Sequence, residues 1–431
     1  MNAASRRPPR TPAQAGFLSP ALPYTLPDGD TLFLWYLGRP AQPVLIGAIR
    51  LLRTLRGVSL RYAPDWLRAG FALSEDLPLV DTEMLPREKD TAAGAVDDAR
   101  PDRWGERVIR MLERPPRLSL LEMLFFAGDE RFGALGVSTS PQSYVPRGAG
   151  PLPQLSDAGA VHDLVRKVIA GDALDEAHRR LIAPGATMGG ARPKALIRMH
   201  GAQWLLKFAE DGFSSDPLNE HAAMTLAAKA GIVVAKTQPV KLARGMAVAV
   251  KRFDRARGRR LHALSANVAL KAAGSDLSYP ALAQLLRRRG VLERDVHRTQ
   301  MRELFRRLIF NILIDNTDDH EKNHVLLVTD AQHYLLAPAF DVLPTQQALG
   351  HQSIAVGIEG ALSSVDNALS MASAYWLSRK EALAEAQRVA QVVAHWRAHF
   401  KAAGVEAAAL DSLAGQIDRP FLREQRAALI R

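Results

Sequence analysis

Residues 315–344, DNTDDHEKNHVLLVTDAQHYLLAPAFDVLP, set an acidic, asparagine-bearing loop before two apolar runs. Asp318 stands five residues before Asn323, and Asp341 follows at the end of the second run. A D-x-x-x-x-N spacing lets one loop aim a carboxylate at an acceptor hydroxyl while the amide oxygen turns back towards a divalent cation. Asp341, arriving from a separate strand end, is placed to hold the same cation. These residues form the polar half of a phosphoryl-transfer site.

Working outward, 431 residues are enough to bury a large core and to divide into two or three lobes. Hydrophobic content of 47% and charged content of 23% belong to a globular chain rather than a disordered or fibrous one. No apolar run reaches the length of a membrane span. The opening MNAASRRPPRTPAQAG is basic and proline-rich without an apolar core, which reads as a flexible arm and not as a secretory signal. The chain has no cysteine, so disulfides, thiolate zinc sites and Cys nucleophiles are excluded, and a reducing cytoplasm is the expected location. The net charge of +11 suits contact with nucleic acid or an acidic protein, although an arginine-rich composition explains it equally well.

Residues 31–60 read as short antiparallel strands broken by Gly and Pro, and 118–126 as a helix. Residues 141–156 are a Pro/Gly-rich linker, followed by a helix over 161–182 and the loop GATMGGARPK at 185–194. Two strands, 195–199 and 203–208, turn at Gly201; a helix over 219–230 and further strands over 232–250 follow. Beyond Tyr279 the periodicity is helical. A buried helix over 303–315 leads into Thr317–Asp318, and 379–402 and 405–430 read as two more.

The glycine-containing loop brings Gly189, Gly190 and Ala191 together, so backbone N–H groups can approach phosphate oxygens, with Lys194 adding charge. It lacks the Walker A order, and a Gly-Gly pair alone is equally a plain turn. Lys207 is the one charge in the apolar WLLKF strand, and Glu220 opens the next helix. A strand lysine paired to a helix glutamate holds nucleotide phosphates in protein kinases; a snorkelling lysine and a first-turn glutamate are the plainer account. Lys251 to Phe253, at a strand end, offer backbone groups to an adenine, with Asp254 near the ribose. His320 to His324 spell H-E-x-x-H, but the acidic segment before them and the VLLV strand after them argue against a zinc helix. No G-x-S-x-G elbow is present, and the basic clusters read as solvated surface.

The joint order of TMGGARPKALI, WLLKF, LNEHAAMTLAAKAGI, VKRFDR, NTDDHEKNH and LAPAFDVLP resembles the HipA family of serine/threonine-protein kinases, the toxin half of HipA/HipB type II toxin–antitoxin systems. DDARPDRWG and FFAGDERFGALGV resemble the same family's N-terminal subdomain. The resemblance implies an α+β, protein-kinase-like fold. Its parts would be a flexible arm (1–28), an N-terminal α/β subdomain (29–140), a nucleotide-binding small-lobe-like region (141–255) and a mostly helical catalytic C-terminal lobe (256–431). It implies ATP and Mg2+ as cofactors and Asp318 as catalytic base. Asn323 and Asp341 would be the metal ligands. ATP contacts would come from Gly189, Gly190, Ala191, Arg192, Pro193, Lys194, Lys207, Lys251, Arg252, Phe253, His320, Glu321, Lys322, Asn323, Phe340 and Asp341. A loop serine autophosphorylated in the family is matched here by Thr187, which keeps the hydroxyl and adds a β-methyl. The implied partners are a HipB-like helix-turn-helix antitoxin, a protein substrate such as an aminoacyl-tRNA synthetase, and operator DNA through the antitoxin complex; no membrane is involved. Two rival readings are a small-molecule kinase and a DNA-binding corepressor.

Overall fold

Strand-forming, alternately buried residues build the first sheet from β1 (Thr31–Tyr36), β2 (Val44–Leu52) and β3 (Gly57–Tyr62). Helices α1 (Pro64–Ala69), α2 (Arg103–Leu112) and α3 (Leu120–Phe126) follow, and β4 (Leu135–Ser138) closes the sheet in the order β3-β2-β1-β4, antiparallel throughout. A capping box starts α3: Glu122 N–H donates to the Ser119 hydroxyl, and Ser119 N–H donates to the Glu122 carboxylate. The computed structural model describes residues 30–115, 117–148, 150–172, 174, 181–183, 185, 190, 192–209, 215–345 and 347–430. The expected arm over 1–28 lies outside them.

The second unit begins with α4 (Ala158–Ala170), which stops at Gly171 in the left-handed region (φ 79°) and so is shorter than the expected 161–182 helix. Strands β5 (Lys194–Met199) and β6 (Ala202–Phe208) form a tight hairpin whose turn, His200–Gly201, has positive φ at both residues. After α5 (Asp216–Lys229), strands β7 (Thr237–Lys241) and β8 (Met246–Lys251) complete an antiparallel sheet ordered β5-β6-β8-β7. The two-residue side-chain period of a strand divides this sheet cleanly. Trp204, Leu206, Phe208, Ala247 and Ala249 join Trp104 and Val108 of α2 and Val161, Leu164 and Val165 of α4 in one core. Leu205, Lys207, Val248 and Val250 point the other way, towards α5.

The last unit contains β9 (Arg255–Ala256), β10 (Arg259–Arg260), β11 (Ala263–Ser265), α6 (Ala266–Ala272), α7 (Tyr279–Arg289) and α8 (Val296–Leu313). Strand β12 (Val325–Val328) pairs antiparallel with β11 on one side and with β13 (Tyr334–Leu336) on the other. Met301, Leu304, Phe305, Leu308, Ile309, Ile312 and Leu313 make α8 the central helix of the main core. Five helices follow: α9 (Val365–Ser370), α10 (Arg379–Val393), α11 (Trp396–Ala402), α12 (Ala407–Ile417) and α13 (Pro420–Ile430). The two long helices expected over 379–402 and 405–430 are thus four. Pro420, which cannot continue a helix but can begin one, marks the second break. Nothing in the residue types marks the first, at Ala394–His395.

One buried charge cluster ties the first unit to the others. Arg252 Nη2 and Arg255 Nη1 each reach Asp254 Oδ2 at 2.7 Å, Gly133 N–H donates to that oxygen at 2.9 Å, and Arg252 also donates to the carbonyls of Glu130 and Arg131. Burial alone would raise the Asp254 pKa; the two guanidiniums and the Gly133 N–H outweigh it and hold the carboxyl well below its usual range. Removing one partner of such a cluster strands the others in a low-dielectric interior. Asp254→Ala is therefore expected to lower folding stability by about 3–5 kcal/mol, read as a shift of the urea midpoint.

Candidate active site

Helix α8 delivers the chain to a loop in which adjacent residues face opposite ways. Asn316, Thr317 and Asp319 are buried, and Asp318 alone between Asn311 and Asp319 is exposed. The buried side chains form a continuous hydrogen-bonded underlayer. Asn316 Nδ2 donates to Asn311 Oδ1 (3.1 Å), Asn311 Nδ2 to the Tyr279 hydroxyl (3.2 Å), and that hydroxyl to Asp319, which also bonds His324 Nε2 (2.8 Å). Burial opposes ionisation of Asp319, but His324 and the Tyr279 hydroxyl prevail and its pKa is lowered. The loop enters through Asp315, which adopts φ 60° and bonds Arg419 Nη2 at 2.7 Å. Loss of hydration lifts the Asp318 pKa; His320 opposes the shift and Asp341 adds to it. Asp318 is thus an open carboxylate on a fixed platform, with a proton affinity above that of an ordinary aspartate.

Lys207 gathers the second group. Its ammonium lies 2.7 Å from Glu220 Oε1 and 2.9 Å from Asp341 Oδ1. Because α5 begins at Asp216 with Pro217 in its first turn, Glu220 lies in the second turn, 2% exposed and aimed at the strand. The plainer account of a snorkelling lysine and a dipole-favoured glutamate does not describe this triad. Burial works against the Lys207 charge, yet Asp341 and Glu220 hold its pKa above normal. Burial raises Glu220, whereas Asp341, with Arg192 and Lys194 also near, is held well below the carboxylate range. Asp341 sits at φ 58°, a left-handed conformation that costs a non-glycine residue of order 1–3 kcal/mol.

Asn323 ends the short 3-10 turn Glu321–Asn323. Its Nδ2 donates to the Asp318 carbonyl at 3.2 Å, while its buried Oδ1 has no protein partner. An orphaned buried acceptor is costly unless something else meets it. An amide oxygen and a low-pKa carboxylate at Asp341 are the hard oxygen donors that Mg2+ takes, so this donor set fits that ion.

Lys207 and Asp341 also border an apolar slot lined by Leu205, Val250, Arg252, Phe253 and Phe340. The rings of Phe253 and Phe340 lie 5.5 Å apart. Arg252 presents little charge there, because its guanidinium turns to Asp254 and the Glu130 and Arg131 carbonyls. The Lys251 and Arg252 N–H groups are used by Lys236 O and Gln203 O. Asp254, placed near a ribose by sequence, is fully buried in the charge cluster. Gly190, Asp318, His320, Glu321 and Lys322 open on a separate cleft of about 1220 Å3, whose opposite wall is formed by the first unit. Gly190 has φ 100°, a backbone conformation that strains any residue with a side chain, and a Cβ there would stand 3.3 Å from Lys194 Nζ and 4.0 Å from Asp341 Oδ2. Arg192 lies 3.5 Å from Asp216, and Pro193 O accepts the Phe208 N–H at 3.0 Å. Thr187, Gly189 and Ala191 lie outside the described residues.

The H-E-x-x-H string is not on an α-helix. His324 is buried against Asp319 and Tyr279, whereas His320 Nδ1 accepts the Lys322 N–H. Sequence reasoning missed Tyr279 and Asn311 in the underlayer, and Asp102, which bonds Lys194. Tyr279 and Asp102 carry no local signal, because Asp319 and Lys194 come from distant segments.

With the geometry described, the chain can be set beside known proteins. A family model described as HipA-like C-terminal domain matches residues 186–401. The Sinorhizobium fredii protein "Putative kinase Y4dM" is 32% identical over 157 residues, covering 34% of this chain and 38% of that relative's length. A chain in the structure of the Shewanella oneidensis MR-1 toxin–antitoxin system HipA, HipB and its operator DNA superposes with a TM-score of 0.63 at 18% identity, covering 92% of this chain and 99% of that one. The Helicobacter pylori proinflammatory kinase CtkA gives a TM-score of 0.44 at 14% identity, with coverage of 56% and 94%.

The start of α6 is braced from the first unit by Asp98, which accepts from both Ser265 N–H and Ser265 Oγ at 2.6 Å. Burial pushes its pKa up to about 6, with the Ser265 bonds and Lys322 opposing and Asp97 adding. A carboxyl raised on folding favours the folded state most below its unfolded pKa and loses that contribution as pH rises through the folded value. Asp98→Asn keeps a similar shape without titrating. Its stability advantage over the wild type is expected to grow between about pH 4 and 6 and then level off, measured by urea titrations across that range.

Proposed function

We propose, on the premise that the chain belongs to the HipA-like C-terminal domain family, that it is an ATP- and Mg2+-dependent kinase acting on serine or threonine hydroxyls of a protein. The observation that carries this reading is the Lys207–Glu220–Asp341 triad beside an open Asp318. Lys207 would hold the phosphates of ATP, with Phe253 and Phe340 bordering its base. Asn323 and Asp341 would hold Mg2+, which when bound neutralises charge on the phosphoryl oxygens. Asp318 orients the acceptor hydroxyl. As that oxygen bonds to the γ-phosphorus and the bond to the bridging oxygen of ADP breaks, the proton passes to the Asp318 carboxylate. Its raised pKa suits that transfer.

The biological setting is part of the same proposal. The chain would be the toxin of a HipA/HipB-type module, restrained by a helix-turn-helix antitoxin and meeting operator DNA in that complex; the Shewanella oneidensis structure likewise holds HipA, HipB and operator DNA. Its target would be a translation protein such as an aminoacyl-tRNA synthetase, and phosphorylation at Thr187 would switch the enzyme off.

Asp318→Ala and Asp341→Ala are each expected to reduce phosphate transfer from labelled ATP by about 10²–10⁴-fold while the circular dichroism spectrum is retained. Near-normal transfer by either variant overturns the assignment. After incubation with ATP and Mg2+, mass spectrometry should find phosphate on Thr187 and progressive loss of activity that Thr187→Ala abolishes. Phosphate confined to other residues would sink the self-inactivation reading.

A further inference from the structure

We propose that Asp102, in the first unit of the chain, is a positioning residue for Lys194, so that the first turn of α2 helps to build the phosphate-binding side of the site. The inference rests on the nucleotide-binding reading above and deepens it.

Lys194 is the first residue of β5 and is 3% exposed. Its ammonium lies 2.9 Å from Asp102 Oδ2 and 3.3 Å from the Gly190 carbonyl. The other Asp102 oxygen accepts the Gly105 N–H at 2.9 Å and caps α2, which fixes the carboxylate at both ends. Trp104, two residues on, donates its indole N–H to the Lys194 carbonyl at 2.7 Å. One helical turn therefore grips both the main chain and the charge of a residue 92 positions away. That turn is itself immobilised, because Trp104, Val108 and Leu112 are packed into the core formed by α4 and the outer face of the β5–β8 sheet.

The geometry also says what the grip controls. Gly190, whose carbonyl accepts from Lys194, lies close to both the Lys194 ammonium and the Asp341 carboxylate, 3.3 and 4.0 Å from where its Cβ would be. Asp102 and Gly190 both line the cleft that reaches Asp318. A lysine held there fixes the Gly190 carbonyl and keeps a positive charge aimed where phosphate oxygens would lie. Without the Asp102 carboxylate the ammonium loses this counter-charge.

Asp102→Ser tests this in the full-length chain, since serine still caps α2 but carries no charge. Calorimetric titration with ATP and Mg2+ is expected to show binding weakened about tenfold in Asp102→Ser. The thermal midpoint without ATP should stay close to wild type, and KM for ATP should rise with little change in kcat. In a Lys194→Met background the same substitution should add nothing. Should Lys194→Met not fold, Trp104→Phe replaces it: the loss of one indole bond is expected to weaken ATP binding about threefold, and Asp102→Ser should then cost less than it does alone. Unchanged affinity in Asp102→Ser, or an equal loss with and without Lys194, overturns the proposal while leaving the kinase reading intact. Failure of the wild type to bind ATP overturns both.

Discussion

A single ammonium group ties together strand β6, helix α5 and the Asp341 turn. Lys207 is nearly buried and is shared between a helix carboxylate and a loop carboxylate that lie 13 and 134 residues away. A desolvated cation of this kind persists only if its counter-charges are fixed in place. That requirement links strand β6 to helix α5 on one side and to the Asp341 turn on the other. Two carboxylates competing for one lysine also differentiate their own chemistry. Asp341, with further cations close by, remains ionised; Glu220, deeply buried, has its pKa raised. The arrangement leaves one anionic oxygen donor available at a turn whose backbone is already in an unfavourable region.

The loop bearing Asp318 illustrates a second constraint. The residues on either side of Asp318 are buried: Asp319 bonds Tyr279 and His324, and Thr317 bonds the Thr345 hydroxyl. The exposed carboxylate therefore needs no hydrogen bond of its own to stay in place. Rigidity below and openness above are what a group requires to meet an incoming hydroxyl without reorganising.

Much of this was legible in the residues and some was not. The β5–β6 hairpin is announced by its apolar runs and Gly201, the order of elements around it by turn residues, and the Asp318–Asn323 frame by spacing. Local pattern also reaches Lys207, since a lone charge in an apolar strand demands a partner. It cannot reveal that Asp319 rather than Asp318 turns inward, because both are equally polar and the decision is made by Tyr279 and His324. Arg252 shows the same limit. It reads as a cation at the end of a strand, yet its charge is absorbed by Asp254 two residues later and by carbonyls of the first unit. The divisions among α10 to α13 were half visible, at Pro420 and not at Ala394. Contacts such as Asp102 with Lys194 join residues whose closeness only the folded chain creates.

The bond between Arg419 and Asp315 has a temporal meaning. Asp315 opens the segment that bears Asp318, and its guanidinium partner is translated 104 residues afterwards. Domains assemble in the order in which the ribosome releases them. A nascent polypeptide that has already emitted Asp318, Asn323 and Asp341 still lacks the clasp on Asp315, which forms only once Arg419 has left the ribosome.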